Sequence, residues 1–298
     1  MGTPDFAVPC LKRIISDGHE VSAVFSQPDR PKGRGWKLAP TPVKELALAH
    51  GLPVFQPVKL KDGAVAAQLK QLVPDVAVVV AYGRILPDDI LCAPRLGCIN
   101  VHASLLPALR GAAPIQWAVI GGDKYTGITT MHMAQGVDTG DIILQKQTEI
   151  AESETAGGLF SRLSEMGADV LSETLRLLES GAAPRIPQDH SRATFAPMIK
   201  KEMAALDFTK QPQGLCNLVR GLNPSPMART TVDGKIVRVL SAAPAEGFSG
   251  SPGQILGTGR FIVACKNGAV EFLTVRPEGK KTMGGGDFIR GWRGADRD

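Results

Sequence analysis

The hydrophobic pattern of the first 180 residues consists of alternating blocks, each typical of one kind of element. Continuous runs of apolar and β-branched residues predict strands that are buried on both faces. They lie at 20–27, 75–82, 97–102 and 127–133. Stretches with helical spacing separate them, at 5–16, 41–50, 62–72, 114–120 and 155–178. Strands that alternate with helices predict an α/β domain with a Rossmann-like, mostly parallel sheet covered by helices on both faces.

The sequence opens on a turn and not on a strand. Gly2, Thr3 and Pro4 lead directly into the helix predicted from Asp5. A doubly wound domain ordinarily begins with a strand near the centre of its sheet. We therefore expect this first strand to be missing, through truncation or a misassigned start, and its two neighbours to carry unpaired backbone groups.

The pattern changes after about residue 180. Proline and polar residues over 184–204 predict a linker, and a short helix follows at 212–222. Short strands with strong hairpin turns at Asp233-Gly234 and Asn267-Gly268 come next. The predicted strands are 228–232, 235–243, 253–258, 260–264 and 269–275. This spacing predicts a small β-barrel of the oligonucleotide-binding type, and the predicted domains are 1–183 and 205–298.

Composition excludes several classes of protein. The chain has 298 residues, of which 43% are hydrophobic and 21% charged, so it can form two folded domains and is not disordered. Its longest apolar run, 76–82, is too short to cross a bilayer, and no secretory signal precedes it. The five cysteines lack metal-type spacing, which predicts free thiols in a reducing compartment. We expect a cytoplasmic protein with no membrane contact.

Positive charge is concentrated in two places. The net charge is +5, yet residues 1–184 carry −2 and residues 185–298 carry +7. One stretch of the first part has five basic residues and no acid: Arg30, Lys32, Arg34, Lys37 and Lys44. Such clusters indicate a polyanionic partner, although a solvated surface explains the charge counts equally well.

Candidate catalytic residues occur where the strand 97–102 ends. Asn100 and His102 are two positions apart, so their side chains lie on one face of the strand. Ligands of open α/β sheets bind at the carboxyl ends of parallel strands. An amide that stabilises an oxyanion beside an imidazole that carries a proton suits reaction at a carbonyl. A hydrogen-bonded strand terminus without catalytic function would show the same pair.

A second candidate is the turn Gln135 to Asp141, which follows the strand 127–133. Asp138 can orient the imidazole of His102, although a turn rich in Gly and Asp needs no function. Ser104 lacks the Gly-x-Ser-x-Gly context of a hydrolase nucleophile, and no histidine pair has metal-ligand spacing. The residues therefore indicate direct group transfer without a metal or a covalent enzyme intermediate.

Four segments together resemble the formyltransferases that use 10-formyltetrahydrofolate. They are Asn100 to His102, Ser104 to Pro107, Arg110 to Gln116 and Gly136 to Asp141. The resemblance implies that Asn100, His102 and Asp138 form the catalytic trio. It also implies a folate pocket at Ser104, Leu105, Leu106 and Pro107, together with Tyr82 and Gly83.

Further segments are similar to the branch of this family that formylates methionyl initiator tRNA. They are Gly2 to Phe6, Gln27 to Pro31, Gly33 to Gly35, Pro42 to Lys44, Pro53 to Pro57, Lys201-Glu202, Asp207-Phe208 and Asn223 to Pro226. The implied reaction transfers the formyl group to the α-amino group of the esterified methionine. The implied tRNA contacts are Arg30, Lys32, Arg34, Lys37 and Lys201, with further phosphate contacts from the barrel.

Two other functions remain open at this stage. One is formylation of a different amine, on a nucleotide sugar or on glycinamide ribonucleotide. The other is RNA binding without catalysis, in which an incomplete first domain accompanies the barrel. We expect a monomer that binds methionyl-tRNA and folate and holds no metal.

Overall fold

The computed structural model describes residues 1–32, 37–257 and 259–292. It divides into two compact units that interleave along the sequence. The first comprises Met1–Pro114, Thr126–Thr148 and Phe160–Pro197. The second comprises Ile115–Tyr125, Glu149–Leu159 and the residues from Met198 onward. The domain boundaries inferred from the sequence stay predictions.

The described residues before position 150 form eight strands. They are β1 (Val24–Phe25), β2 (Arg30–Lys32), β3 (Lys37–Ala39), β4 (Val54–Phe55), β5 (Ala77–Val79), β6 (Cys98–His102), β7 (Tyr125–His132) and β8 (Ile142–Glu149). β1 pairs with β4 in parallel, and β2 and β3 form an antiparallel hairpin. The remaining four form one sheet in the order β5-β6-β7-β8, in which β5 and β6 are parallel but β6 and β7 antiparallel. The predicted α/β class is confirmed, whereas β2, β3, β4 and β8 were not predicted.

Helices connect these strands. They are α1 (Val8–Ser16), α2 (Pro42–Ala49), α3 (Ala64–Leu72), α4 (Asp88–Leu91), α5 (Pro114–Gly121) and α6 (Ala156–Glu179). A 3₁₀ turn at Asp5–Ala7 leads into α1. At the start of α2, the Thr41 hydroxyl accepts the Lys44 N–H and Pro42 takes the first position, as the sequence indicates. Four of the five helices predicted in this part of the chain lie within two residues of their expected limits, and the fifth, 5–16, is found as the 3₁₀ turn followed by α1.

The first two residues occupy a strand position between β1 and β5. The Gly2 N–H donates to the Phe25 carbonyl oxygen at 2.9 Å, and the Val80 N–H donates to the Met1 carbonyl oxygen at 2.9 Å. The α-amino group of Met1 donates to the Val78 carbonyl oxygen, and burial lowers its pKa to about 6. A cavity of about 730 Å³ continues along both strands, and apolar side chains such as Leu69 line much of it.

An apolar strand added before Met1 is expected to stabilise the protein, because it would fill this cavity and extend the pairing that Met1 and Gly2 make with β1 and β5. About six residues rich in Val and Ile should raise the midpoint of thermal unfolding by roughly 5 to 10 °C. A Gly/Ser extension of the same length is the control, since it lacks the side chains that fill the cavity. Equal midpoints for the two extended forms in calorimetry would contradict the expectation.

The second unit contains a curled antiparallel sheet. Its elements are α7 (Pro212–Gly221), β9 (Ala228–Val232), β10 (Lys235–Ala245), β11 (Ile262–Cys265), β12 (Gly268–Pro277), β13 (Met283–Gly284) and α8 (Gly285–Gly291). The strand order is β11-β12-β10-β9, and β13 pairs with β12. The rings of Phe261 and Phe272 meet edge to face at 5.0 Å in its core. In the expected strand 253–258, the described residues pair irregularly with β11: Ile255 bridges to Val263, and backbone hydrogen bonds join Gly253 to Ala264 and Leu256 to Ile262.

Two general properties concern the described residues. None of the helices within 1–32, 37–257 and 259–292 combines the length and apolar character that crossing a membrane requires. All five cysteines are free thiols; four are buried and Cys92 is exposed.

Candidate active site

Asn100 lies on the face of β6 opposite two fully buried side chains, Ile99 and Val101. Its Nδ2 donates to the carbonyl oxygen of Val79, on the neighbouring strand β5, at 3.1 Å. A carboxamide nitrogen carries two protons, so this bond leaves one N–H for another acceptor. The Oδ1 atom is buried and has no partner within the described part of the chain. The Asn100 amide is therefore held through one N–H, while its second N–H and its Oδ1 have no hydrogen-bond partner among the described residues.

His102 lies at the end of the same strand with its side chain 8% exposed. Its Nδ1 faces Oδ2 of Asp138 at 3.6 Å, and its Nε2 lies 3.0 Å from the carbonyl oxygen of Leu109. A neutral imidazole has one N–H to donate and an imidazolium has two. Because both nitrogens face acceptors, the ring can take up a proton and find a partner for it on either side.

Asp138 is held in an unusual conformation beside this ring. Its φ is +53°, in the left-handed region, and the Gly111 N–H donates to its Oδ2 at 2.8 Å. Gly111 itself has φ +120°, and a Cβ there would lie 2.8 Å from the carbonyl oxygen of Ala196. Leu109, whose carbonyl faces His102, also has a positive φ of +59°. Backbone strain of this kind persists only where surrounding contacts impose it, and it often occurs at functional sites.

The predicted folate segment, Ser104 to Pro107, forms a closed loop after β6. The Ser104 hydroxyl is buried and donates to the Ala108 carbonyl oxygen at 2.6 Å. The Leu106 side chain belongs to a small core with Met131 and Ile142, while Leu105 and Pro107 are half-buried. The side chains of Ser104 and Leu106 thus shape the loop.

Tyr82 and Gly83 follow β5 and contact a different segment. The carbonyl oxygen of Tyr82 accepts from Gln27 Nε2 at 2.8 Å and from Thr3 Oγ1 at 3.2 Å. A Cβ on Gly83 would lie 2.6 Å from Gln27 Nε2. The Tyr82 hydroxyl is buried without a partner among the described residues, and burial raises its pKa.

The basic stretch after residue 29 is anchored by a polar network. Lys44 Nζ donates to Asp29 Oδ2 at 2.6 Å and to Gln56 Oε1 at 2.8 Å. Gln56 Nε2 donates to the Gln27 carbonyl oxygen and to Asp29 Oδ1. These hydrogen bonds, first from Lys44 and then from Gln56, hold the pKa of the Asp29 carboxyl below its ordinary value. Lys44 is therefore committed to a structural ion pair, which the charge count did not reveal.

The predicted tRNA contacts are placed as follows. Arg30 is exposed, and its Nη2 donates to Gln27 Oε1 at 2.9 Å. Lys32 and Lys37 are paired across the β2–β3 hairpin, whereas Arg34 lies outside the described residues. Lys201 is exposed at the start of a 3₁₀ turn, Lys201–Ala204, in the second unit.

Sequence reasoning missed two buried polar residues close to Asp138. Arg110, 4% exposed, donates from Nε and Nη2 to the Oε1 of Gln188 at 3.2 and 2.6 Å. Gln188, 6% exposed, donates from Nε2 to the carbonyl oxygens of Asp138 and Gly140 at 3.0 and 2.7 Å. Gln188 lies in the predicted linker, where a polar residue between prolines gives no signal of burial.

The arrangement fits a substrate with a carbonyl group. The buried Oδ1 of Asn100 lacks a partner, and the second N–H of its amide remains available beside a histidine–aspartate pair. Donors preorganised in a partly buried site stabilise negative charge on a carbonyl oxygen, and the imidazole can carry a proton. The site therefore has residues suited to group transfer at a carbonyl carbon.

Two family models match the chain. The one described as Formyl transferase matches residues 1–175, and Formyl transferase, C-terminal domain, matches residues 198–293. Among solved structures, the chain is similar to WlaRD, a sugar 3N-formyl transferase crystallised with dTDP and 5-N-formyl-THF. The TM-score is 0.69 and the identity 16%, with 94% of this chain and 97% of that chain covered. The chain is also similar to HypX from Aquifex aeolicus in complex with tetrahydrofolic acid. The TM-score is 0.60 and the identity 20%, with 85% of this chain and 47% of that chain covered. At these identities the two structures support the fold alone.

Three curated relatives are much more similar in sequence, and each is named methionyl-tRNA formyltransferase. That of Pelotomaculum thermopropionicum is 49% identical over 98% of this chain and 94% of its own length. The relative from Geobacter metallireducens is 48% identical over 98% of this chain and 94% of its own length. The relative from Agathobacter rectalis is 49% identical over 98% of this chain and 95% of its own length. The resemblance inferred from short motifs is thus confirmed along nearly the whole sequence, and the chain belongs to the methionyl-tRNA formyltransferase family.

Proposed function

We propose that this protein transfers the formyl group of 10-formyltetrahydrofolate to the α-amino group of methionyl initiator tRNA, giving N-formylmethionyl-tRNA. The observation that carries the proposal is 49% identity to a methionyl-tRNA formyltransferase over 98% of the chain, spanning both units. The half-buried Asn100 and the His102–Asp138 pair supply the chemistry that such a transfer needs.

Bound folate supplies the formyl group as an amide whose carbonyl carbon the amine attacks. Asn100 has the role of stabilising the carbonyl oxygen as it gains negative charge. Its bond to Val79 fixes the amide plane, so the remaining N–H is oriented before the substrate arrives. A preorganised donor costs no reorganisation during the reaction, which makes it more effective than water.

Proton transfer falls to His102. The attacking amine must lose a proton, and the departing folate nitrogen must gain one as its bond to the formyl carbon breaks. Asp138 faces Nδ1 and the Leu109 carbonyl faces Nε2, so both acceptors favour the ring once it has taken up a proton. Asp138 stabilises the protonated ring and fixes its orientation, and Gly111 fixes Asp138 in turn.

The folate contacts stay proposals. The loop Ser104 to Pro107 and the segment Tyr82-Gly83 follow the neighbouring parallel strands β6 and β5, whose carboxyl ends form the usual ligand edge of an α/β sheet. Because Ser104 and Leu106 are engaged within the loop, we assign direct contact to the backbone and to Leu105 and Pro107. The buried Tyr82 hydroxyl, which lacks a partner in the described chain, is a further candidate donor.

A substrate panel tests the proposed function. The purified chain is given 10-formyltetrahydrofolate with methionyl initiator tRNA, glycinamide ribonucleotide or a nucleotide-linked amino sugar. We expect formylation of the charged tRNA only. Formylation of the amino sugar or of the ribonucleotide in its place would overturn the assignment, and binding of tRNA without any transfer would favour the non-catalytic alternative.

The basic hairpin is proposed to approach the tRNA. Arg30, Lys32, Arg34 and Lys37 fall within eight residues that contain no acid, and Arg30 is exposed. The network of Lys44, Asp29 and Gln56 secures the base of this segment. Lys201 is assigned to the same substrate from the second unit.

Arg34→Ala is expected to raise the KM for methionyl-tRNA about threefold to tenfold and to leave the KM for folate unchanged. Each lost phosphate contact lowers the dependence of log(kcat/KM) on log[salt] by roughly one. Steady-state kinetics at several salt concentrations measure both effects. Lys70→Ala, which removes an exposed charge from α3, is the matched control. A variant that loses folate affinity and keeps its tRNA parameters would assign the hairpin to the other substrate.

Two further expectations stay part of the proposal: the chain acts in the cytoplasm, where initiator tRNA is charged and used, and it acts as a monomer.

A further inference from the structure

The segment 186–196 lies against the two loops that carry Leu109 and Asp138, the residues whose acceptors face His102. At its start, Ile186 and Ile142 exchange two backbone hydrogen bonds, at 2.8 and 3.0 Å. At its end, Ala196 accepts from the N–H of Ala113 and donates to the carbonyl oxygen of Arg110. All of these residues belong to the first compact unit. We call residues 186–196 the strap.

Thr194 of the strap is hydrogen-bonded to the loop 106–113. The Leu109 N–H donates to the hydroxyl oxygen of Thr194 at 2.9 Å, and the Arg110 N–H donates to the Thr194 carbonyl oxygen at 2.9 Å. Leu109 is the residue whose carbonyl faces His102. The strap therefore fixes one of the two acceptors of the imidazole.

Gln188 connects the strap to the other acceptor. Its Oε1 receives two hydrogen bonds from the Arg110 guanidinium, which only donates, and its Nε2 donates to the carbonyl oxygens of Asp138 and Gly140, which only accept. The partners thus determine which way the amide points. A positive donor on one end of a carboxamide strengthens the donors on the other end.

A glutamine fits the contacts at position 188 better than a glutamate would. A glutamate would neutralise the buried guanidinium of Arg110 better than a glutamine, yet a carboxylate cannot donate to two carbonyl oxygens. The backbone at Gly140 packs closely against the end of β7, because a Cβ at that glycine would lie 1.7 Å from the His132 carbonyl oxygen. A donor pair at this point therefore holds the Asp138 backbone at its positive φ.

We propose that Gln188 is a positioning residue for formyl transfer: through Arg110 and the Asp138 carbonyl it sets the distance between the Asp138 carboxylate and His102. This rests on the proposed function. Asp138 is held at both ends, at its carboxylate by Gly111 N–H and at its carbonyl by Gln188. Loss of the second contact lets the residue relax and misplaces the carboxylate, without touching either substrate.

Gln188→Glu tests the proposal. The glutamate side chain has the same size as glutamine and still accepts from Arg110. Its second oxygen, however, faces two carbonyl oxygens to which it cannot donate. We expect kcat for methionyl-tRNA to fall roughly 10- to 100-fold with both KM values within about twofold, as for a small displacement of a reacting group. Single-turnover transfer should slow equally. Gln71→Glu, the same exchange at an exposed position of α3, is the control.

Three outcomes decide between the possibilities. A folded Gln188→Glu variant with wild-type kcat overturns the proposal, and so does a rise in KM at constant kcat. Where this variant does not fold, Gln188→Asn takes its place, because it is polar but too short to reach both sets of partners. Absence of formylation by the wild-type chain in the same assay overturns the proposed function, whereas an active wild type with an equally active variant overturns only the role of Gln188.

Discussion

Asn100→Ala is expected to lower kcat for formylation of methionyl-tRNA by about 10²- to 10³-fold, the usual effect of removing one oxyanion donor. The amide is half-buried on β6 and tied to Val79, which holds its remaining N–H in a fixed direction. KM for the folate and for the tRNA should change little, because the lost interaction strengthens only as the carbonyl oxygen becomes negative. Rapid-quench measurement of the transfer step gives the effect directly.

Two further variants make this test specific. Asn100→Asp keeps the shape and Oδ1 but replaces the donating nitrogen by an oxygen, so it should be at least as damaging as the alanine. Gln135→Ala removes an exposed amide three residues from Asp138 and should stay within about twofold of the wild type. Near-normal kcat in a folded Asn100→Ala protein would show that the oxyanion is stabilised elsewhere.

The strands and helices that were predicted correctly have strong local signals. β6 is recognisable because Cys98 to His102 is apolar except for the residues that face the site. β9 and β10 meet at the Asp233-Gly234 turn, whose positive φ values suit these two residues. β8 was missed because its burial is confined to its start, and the polar run Gln145 to Gln147 that follows is exposed or half-buried. A strand stabilised mainly by its neighbour leaves little hydrophobic pattern.

The residues of the site also differ in how far the sequence alone could predict them. Asn100 and His102 could be placed on one face from spacing alone, since strand side chains alternate. Asp138 could be named from its turn only as one candidate partner of His102, and the family resemblance was needed to single it out, because the turn lies 36 residues further along the sequence. Gln188 and Lys44 could not be assigned at all. Their roles depend on partners far along the chain, and polar residues in a proline-rich or basic segment are ordinarily exposed.

Asp138→Asn is expected to lower kcat on the order of 10³-fold, within the range for general acid–base groups and for the carboxylate that orients a catalytic histidine. The substitution preserves size but removes the negative charge beside Nδ1 of His102. The introduced carboxamide can adopt two orientations, with either its oxygen or its nitrogen toward the Gly111 N–H. With its oxygen toward Gly111 N–H, the protein keeps that hydrogen bond and loses only the charge; with its nitrogen there, a donor opposes a donor.

The second arrangement costs more than the first, so the oxygen should stay on Gly111 and the loop should keep its conformation. Thermal stability is then expected within about 1 kcal/mol of the wild type, which separates loss of charge from loss of structure. Asp141→Asn, three residues away in the same turn, removes an equal charge that lies 3.7 Å from Arg185 and serves as the matched control. Should both aspartate variants lose kcat equally, the effect would belong to the net charge of the turn, and the pairing of Asp138 with His102 would have no special part in proton transfer.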